Sequence, residues 1–134
     1  MTATKRICAL TMARNDEFFL HRWLAYYGAQ LGTENVFVYL DGTDQTLEHP
    51  LPKGTHVTAV PHLAGDVRTA DRRRIDFLSA RAAERFADGY DLVIGTDADE
   101  FLIPDPALGL SLSQFLSRQE IRTSLSALGI DVGQ

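Results

Sequence analysis

Three carboxylates lie within four residues, directly after a short apolar segment. Asp97, Asp99 and Glu100 follow the run 92–94, which is short enough to be a buried strand. Because side chains alternate faces along a strand, Asp97 and Asp99 are expected to point the same way, about 7 Å apart. Two carboxylates that close repel each other unless a cation or a shared proton lies between them. The pattern predicts a divalent metal, Mg²⁺ or Mn²⁺, held by Asp97 and Asp99, and the alternative is a solvated acidic turn.

The elements that position these carboxylates alternate along the chain. Apolar runs predict strands over residues 7–12, 36–40, 57–60 and 92–94. Helical spacing of apolar residues predicts helices from residue 15 or 16 to 31, from about 70 to 87, and over 112–117. This order predicts one α/β domain over residues 1–134, with a mostly parallel sheet sandwiched by helices. In the second helix we expect one buried face, made of Ile75, Leu78, Ala82 and Phe86, with most arginines on the other.

Polar residues follow each predicted strand, where parallel sheets bind ligands. They are Thr11, Arg14 and Asn15 after the first strand, Asp41 and Asp44 after the second, Asp66 and Arg68 after the third, and Asp97 and Asp99 after the fourth. The sequence therefore predicts a mixed-charge, metal-capable pocket at one edge of the sheet. It has no glycine fingerprint of a dinucleotide site after the first strand and no P-loop, so those two chemistries lose support.

The basic cluster of the chain opens the second predicted helix. It comprises Arg68, Arg72, Arg73 and Arg74. Positive charge at a helix start opposes the helix dipole, which is unfavourable unless an anion lies near. We therefore predict a phosphate contact from Arg68 or Arg72, and a solvated helix face for the other two.

Composition limits the function classes further. The chain has 134 residues, 45% of them apolar and 23% charged, as in ordinary globular proteins. A net charge of −5 argues against a nucleic-acid surface as the main partner. No apolar stretch approaches the roughly 20 residues needed to cross a bilayer, and the segment near Lys5 does not fit a signal peptide. The single cysteine, Cys8, is expected in the core, and we expect a cytoplasmic protein.

Three motifs in this order carry a family resemblance. They are Arg14-Asn15-Asp16-Glu17 with the helix that follows to Gly32, the segment 38–44 that ends in Asp41-Gly42-Thr43-Asp44, and the segment 97–102. Together they resemble the amino-terminal half of family 2 and family 92-type glycosyltransferases, over roughly residues 5–105. The resemblance implies the Rossmann-like GT-A fold, a nucleotide-diphospho-sugar donor such as a UDP-sugar, and Mn²⁺ or Mg²⁺. In this chain Asp16 separates Asn15 from Glu17, which are usually adjacent in the family.

The resemblance also implies residue roles. Asp99 would be the direct metal ligand, and Asp97 would bind the ribose or assist at the metal. Asp41 would accept a hydrogen bond from the base, with Thr11 nearby, although an ordinary turn aspartate and a core threonine are the alternatives. The nucleotide-sugar set then comprises Thr11, Arg14, Asn15, Asp41, Arg68, Arg72 and Asp97. The metal would neutralise the diphosphate and stabilise its departure.

The catalytic base is expected outside this chain. Family members continue through further strands that bind the acceptor and supply the base, so the chain is expected to be the amino-terminal portion of a longer domain, with the base beyond Gln134. The resemblance implies sugar transfer with inversion to an unknown glycan, lipid or protein acceptor. One alternative is a non-catalytic nucleotide-sugar or metal-binding module. A phosphatase of the haloacid-dehalogenase type is less favoured, since Glu100-Phe101 follow the aspartates and three strands precede them.

Overall fold

The computed structural model describes residues 4–62, 65–121, 124–125 and 129–130. Within these residues the strands are β1 (Ile7–Ala13), β2 (Val36–Asp41), β3 (His56–Val60) and β4 (Leu92–Gly95). The helices are α1 (Glu17–Leu31), α2 (Val67–Ala87) and α3 (Leu112–Ser117), and two short 3₁₀ turns span Thr33–Asn35 and Pro106–Leu108. The predicted strands and helices are confirmed, with bounds that differ by a few residues at most. No helix in the described part of the chain is long and apolar enough to span a membrane.

The four strands form one all-parallel sheet in the order β3-β2-β1-β4. The predicted α/β class with a parallel sheet is confirmed, and the arrangement is consistent with a Rossmann-like fold. The register of the sheet brings the strand ends together. Ala13 at the end of β1 is paired with Leu40, and Asp41 at the end of β2 is paired with Val60. Strand β4 ends earlier, with Gly95 opposite Leu10. Residues that follow β1, β2 and β4 therefore meet at one edge of the sheet.

Helices cover both faces of the sheet, as predicted. On one face α1 buries Leu20, Trp23, Leu24 and Tyr27 against β1 and β2, and α3 joins the same cluster. On the other face α2 packs against the alternate residues of the strands, among them Cys8, Leu10, Phe37 and Tyr39. A continuous apolar β1 is the expected pattern for a strand with both faces covered.

The buried face of α2 differs from the predicted one. Leu78 and Ala82 do pack against the sheet, but Ile75 and Phe86 are 63% and 51% exposed, so their predicted burial was wrong. Arginine side chains occupy part of the packed face instead. The guanidinium of Arg85 lies 4.5 Å from the centre of the Phe37 ring. Long arginine stems can cover apolar surface while the charged end keeps polar contacts, which simple apolar periodicity does not detect.

Helix α2 also begins earlier than predicted, at Val67 rather than near Ala70. The reason is a side-chain cap, because the Asp66 carboxylate accepts a 2.8 Å hydrogen bond from the Thr69 backbone N–H. This bond lowers the pKa of Asp66. Asp66 therefore serves the helix start rather than the predicted pocket.

Candidate functional site

A cavity of about 270 Å³ lies at the sheet edge where β1, β2 and β4 end. Residues from all three strand ends and from α2 line it, namely Met12, Ala13, Arg14, Asp16, Asp41, Arg74, Asp97, Ala98 and Asp99. Four of these side chains are aspartates and two are arginines. The surplus of carboxylates suits a cation, and the arginines suit an anion that accompanies it.

Asp97 and Asp99 lie in a turn rather than in a continued strand. Strand β4 ends at Gly95, and the Glu100 N–H donates a 3.1 Å hydrogen bond to the Asp97 carbonyl, which closes the turn around buried Ala98. The expectation of strand alternation was therefore wrong. Both aspartates nevertheless line the same cavity, with Asp99 exposed and Asp97 half-buried. The Glu100 carboxylate accepts a 2.8 Å hydrogen bond from the Asp97 N–H and thereby holds the turn.

Thr11 supports this turn from the core. The residue is fully buried and its hydroxyl donates a hydrogen bond to the Thr96 carbonyl, so the structure places it outside the cavity wall and agrees with the alternative of a core threonine. Trp23 bonds to Thr96 as well, from α1. Thr11 thus positions Thr96, the residue before Asp97.

Arg14 joins the end of β1 to the end of β2. Its guanidinium donates a 2.6 Å hydrogen bond to the Asp41 carbonyl and bonds of 3.2 and 3.3 Å to the two carboxylate oxygens of Asp44. The hydrogen bond from Arg14 lowers the pKa of Asp44. Gly42 packs directly against this pair. A Cβ atom at Gly42 would come within 2.4 Å of an Asp44 oxygen and closer still to Arg14. Arg14 lies in the cavity as predicted and is fixed by these partners.

The carboxylate of Asp41 lies beside a histidine that the sequence did not single out. His62, which follows β3, has its Nδ1 3.0 Å from Asp41 Oδ1. The contact arises because β2 and β3 are paired in register up to Asp41 and Val60. An ionised carboxylate only accepts hydrogen bonds, so His62 is the donor in this contact. Spacing along the chain gives no signal for this pair.

Arg74, rather than Arg68 or Arg72, is the arginine of α2 that reaches the cavity. Its guanidinium donates a 3.0 Å hydrogen bond to Asp97 and a 3.1 Å bond to Asp71. Arg68 and Arg72 are exposed and lie outside the cavity lining, so the predicted phosphate contact from either of them is not supported. Arg74 lies four residues before Leu78, on the packed side of the helix. The i,i+4 spacing from Arg74 to Leu78 is the sequence feature that could have predicted that Arg74 faces the sheet edge.

Asn15 and Glu17 fix loops near the cavity instead of lining it. Asn15 has a φ of 52°, and its backbone N–H donates a 2.9 Å hydrogen bond to Gln45. The Glu17 carboxylate accepts hydrogen bonds of 2.9 and 2.7 Å from the backbone N–H groups of Glu48 and His49. These bonds lower the pKa of Glu17. Both residues thus hold the connection between β2 and β3 against the start of α1.

The fold and the cavity define a parallel α/β domain with a carboxylate- and arginine-lined site at the carboxyl ends of its strands. Compared with protein-family models, with curated proteins and with solved structures, the chain gave no match. The glycosyltransferase resemblance therefore remains an interpretation of the sequence motifs.

Proposed function

We propose that this chain carries the donor-binding site of a glycosyltransferase that uses a nucleotide-diphospho-sugar, with UDP as the nucleotide. The observation that carries the proposal is the meeting of Asp41, Asp97 and Asp99 with Arg14 and Arg74 in one cavity at the carboxyl edge of the sheet. Parallel α/β sheets bind nucleotides in this position. The GT-A fold is part of the same proposal.

Asp97 and Asp99 fit a hard divalent cation. Both offer carboxylate oxygens to the same cavity, and oxygen ligands with open positions are what Mg²⁺ and Mn²⁺ take in phosphate sites. Asp99 is exposed, and no described residue pairs with its carboxylate, so it is available as a direct ligand. When bound, the metal would neutralise the diphosphate leaving group. Asp41 is proposed to accept a hydrogen bond from the base.

The two arginines supply positive charge for the diphosphate. Arg74 already balances Asp97 at 3.0 Å, and Arg14 is held in place by Asp44 and the Asp41 carbonyl. Guanidinium groups match phosphate oxygens in geometry as well as charge. The cavity volume of about 270 Å³ is just below the roughly 300 Å³ at which pockets for whole organic ligands begin. It suits the diphosphate and its metal, with the nucleoside and the sugar extending beyond it.

We assign no general base within the described residues. Glu100 is the carboxylate next to the metal ligands, and it is engaged in holding the Asp97 turn. The chain alone is therefore proposed to bind donor without transferring sugar. The engagement of Glu100 in the turn also favours a second candidate, a nucleotide-sugar-binding or metal-binding module without catalysis. Measured transfer from donor to an acceptor by residues 1–134 would contradict both the base assignment and this second candidate.

Calorimetric titration of UDP tests the proposal. Heat of binding is expected with Mn²⁺ present and is expected to vanish with EDTA. Asp99→Asn should abolish the metal-dependent heat while leaving the fold intact, because the residue is exposed. Asp105→Asn is the matched control, since Asp105 is also an exposed aspartate near the site in sequence and an asparagine can still cap the turn it begins. Equal UDP binding with Mn²⁺ and with EDTA would overturn the metal role.

A further inference from the structure

A second cluster of metal-ligating side chains lies at the start of α1, outside the lining of the cavity. Glu17 and His21 are one turn apart on the helix, and His49 comes from the connection between β2 and β3. One ligand atom from each of the three lies within 4.8 Å of the other two. His21 Nε2 is 3.3 Å and His49 Nδ1 is 3.7 Å from the same oxygen, Glu17 Oε1. The cluster therefore converges two imidazole nitrogens on one carboxylate.

Backbone hydrogen bonds bring His49 to this place. The Glu17 carboxylate accepts the N–H groups of Glu48 and His49, which fixes the connection against the helix. These bonds use one lone-pair direction on each carboxylate oxygen, and an ionised carboxylate has about four. Each oxygen can therefore still accept a metal. The hydrogen bonds that hold the loop to Glu17 use only backbone N–H groups of residues 48 and 49. They do not explain why two imidazole side chains lie beside the same carboxylate.

We infer that Glu17, His21 and His49 form a site for a transition-metal ion, with Zn²⁺ as the best fit. Two imidazoles and one carboxylate are the ligand set of the open zinc sites in which a fourth position holds water. Ligand atoms about 2.0–2.1 Å from a tetrahedral zinc lie roughly 3.4 Å apart, close to the 3.3 and 3.7 Å found here. The His49 side chain is 73% exposed, so solvent can supply the fourth ligand.

The two proposed metal sites differ in chemistry. Asp97 and Asp99 offer oxygen ligands only, which favour Mn²⁺ or Mg²⁺, whereas the imidazoles of His21 and His49 favour Zn²⁺. The zinc site would tie the β2–β3 connection to α1 through side chains as well as backbone. That connection begins beside Asp41, which lines the cavity. The zinc inference does not rest on the proposed glycosyltransferase function.

Calorimetric titration of ZnCl₂ alone into the whole chain tests the inference. One high-affinity Zn²⁺ site is expected, and His21→Ala and His49→Ala should each weaken it by more than roughly 100-fold, since even outer-shell partners of metal ligands are worth about 10- to 100-fold. His56→Ala is the control, because His56 is an exposed histidine that bonds to the Glu34 carbonyl elsewhere on the protein. Asp99→Asn should leave zinc binding unchanged, which separates this site from the carboxylate site.

Cobalt substitution provides a second readout on the unaltered protein. Co²⁺ bound by His21, His49 and Glu17 should give the intense visible absorption of a four-coordinate ion, and an equivalent of Zn²⁺ should remove it. The two alanine variants replace side chains that are 31% (His21) and 73% (His49) exposed and keep the backbone bonds to Glu17, so their circular dichroism should match the parent. No saturable Zn²⁺ site in the parent chain, or parent-like Zn²⁺ affinity in both variants, would overturn the inference.

Discussion

The Thr11 hydroxyl donates a 2.8 Å hydrogen bond to the backbone carbonyl of Thr96. From the facing helix, Trp23 Nε1 donates a bond of the same length to the Thr96 hydroxyl. Both residues are fully buried, Thr11 in the inner strand β1 and Trp23 on the core face of α1. Thr96 directly precedes Asp97, so two core residues fix the point at which the acidic turn leaves the sheet. The rigid interior thereby determines where the proposed metal ligands lie.

Replacing Thr11 by valine tests this anchoring. Valine keeps the shape of threonine but leaves the Thr96 carbonyl without its buried donor, so the free energy of unfolding should fall by about 1–3 kcal/mol. Urea denaturation measures the change. Thr58→Val is the control, because Thr58 is an exposed strand threonine whose replacement should change stability by less than about 0.5 kcal/mol. Equal effects of the two substitutions would show that the Thr11–Thr96 bond contributes nothing.

The sequence predicted the layers of this fold because short apolar runs alternate with segments of helical periodicity, and turn residues separate them. Strand β1 reads as a continuous apolar run since both its faces are buried. Helix α3 was predicted with its observed bounds, where Ser111 and Gln114 form a reciprocal capping box. Local signals of this kind depend on residues a few positions apart. Such signals predict local structure correctly without knowledge of long-range contacts.

Site details that depend on distant contacts were predicted less well. The arginine in the cavity is Arg74, because packing of α2 on the sheet orients it, whereas charge at the helix start had favoured Arg68 and Arg72. The turn at Asp97 depends on Glu100 and on the core anchor at Thr96. Glu17 and His49 are 32 positions apart and meet through a loop whose path the sequence does not specify.

Gly42 is expected to be intolerant of any side chain. Its φ is 123°, and an added Cβ would collide with the Arg14–Asp44 pair. Gly42→Ala should therefore lower the free energy of unfolding by about 1–3 kcal/mol and free Arg14 from Asp44. Gly95→Ala is the matched control, since a Cβ there meets nothing within 4 Å. Thermal or urea denaturation of both variants makes the comparison, and a Gly42→Ala protein as stable as the control would contradict the predicted collision.

Replacing Arg74 should weaken UDP binding with little loss of stability, whereas replacing Arg72 should affect neither. Arg74→Ala is expected to weaken Mn²⁺-dependent UDP binding by roughly 10- to 100-fold, because a hydrogen bond to a charged group contributes about 1.5–3 kcal/mol. Its pairs with Asp97 and Asp71 are partly exposed, so unfolding should change by less than about 1 kcal/mol. Arg72→Ala removes an equally charged side chain that is 81% exposed, and should change neither quantity. Similar UDP affinities of the two variants would remove Arg74 from the donor site.

Cys8 should be protonated and unreactive in the folded protein. Burial raises the pKa of its thiol to about 12, against opposing effects of the Arg85 and Arg6 charges. Because only the thiolate reacts, a thiol-specific disulfide reagent at pH 8 should label the chain in urea but hardly at all without it. Rapid labelling of the native protein would show that the thiol is accessible or ionised.

The raised pKa of Cys8 also makes the free energy of unfolding depend on pH in the alkaline range. The folded state holds the Cys8 proton more tightly than the unfolded state, whose thiol pKa is about 8.5, so this contribution is complete below pH 8.5 and is lost as the pH rises toward 12. Tyrosines such as Tyr27 and Tyr39 also have raised pKa values, so the parent must be compared with Cys8→Ala. The fall in unfolding free energy between pH 8 and 10.5 should be steeper in the parent. Parallel curves for the two proteins would contradict the buried, neutral thiol.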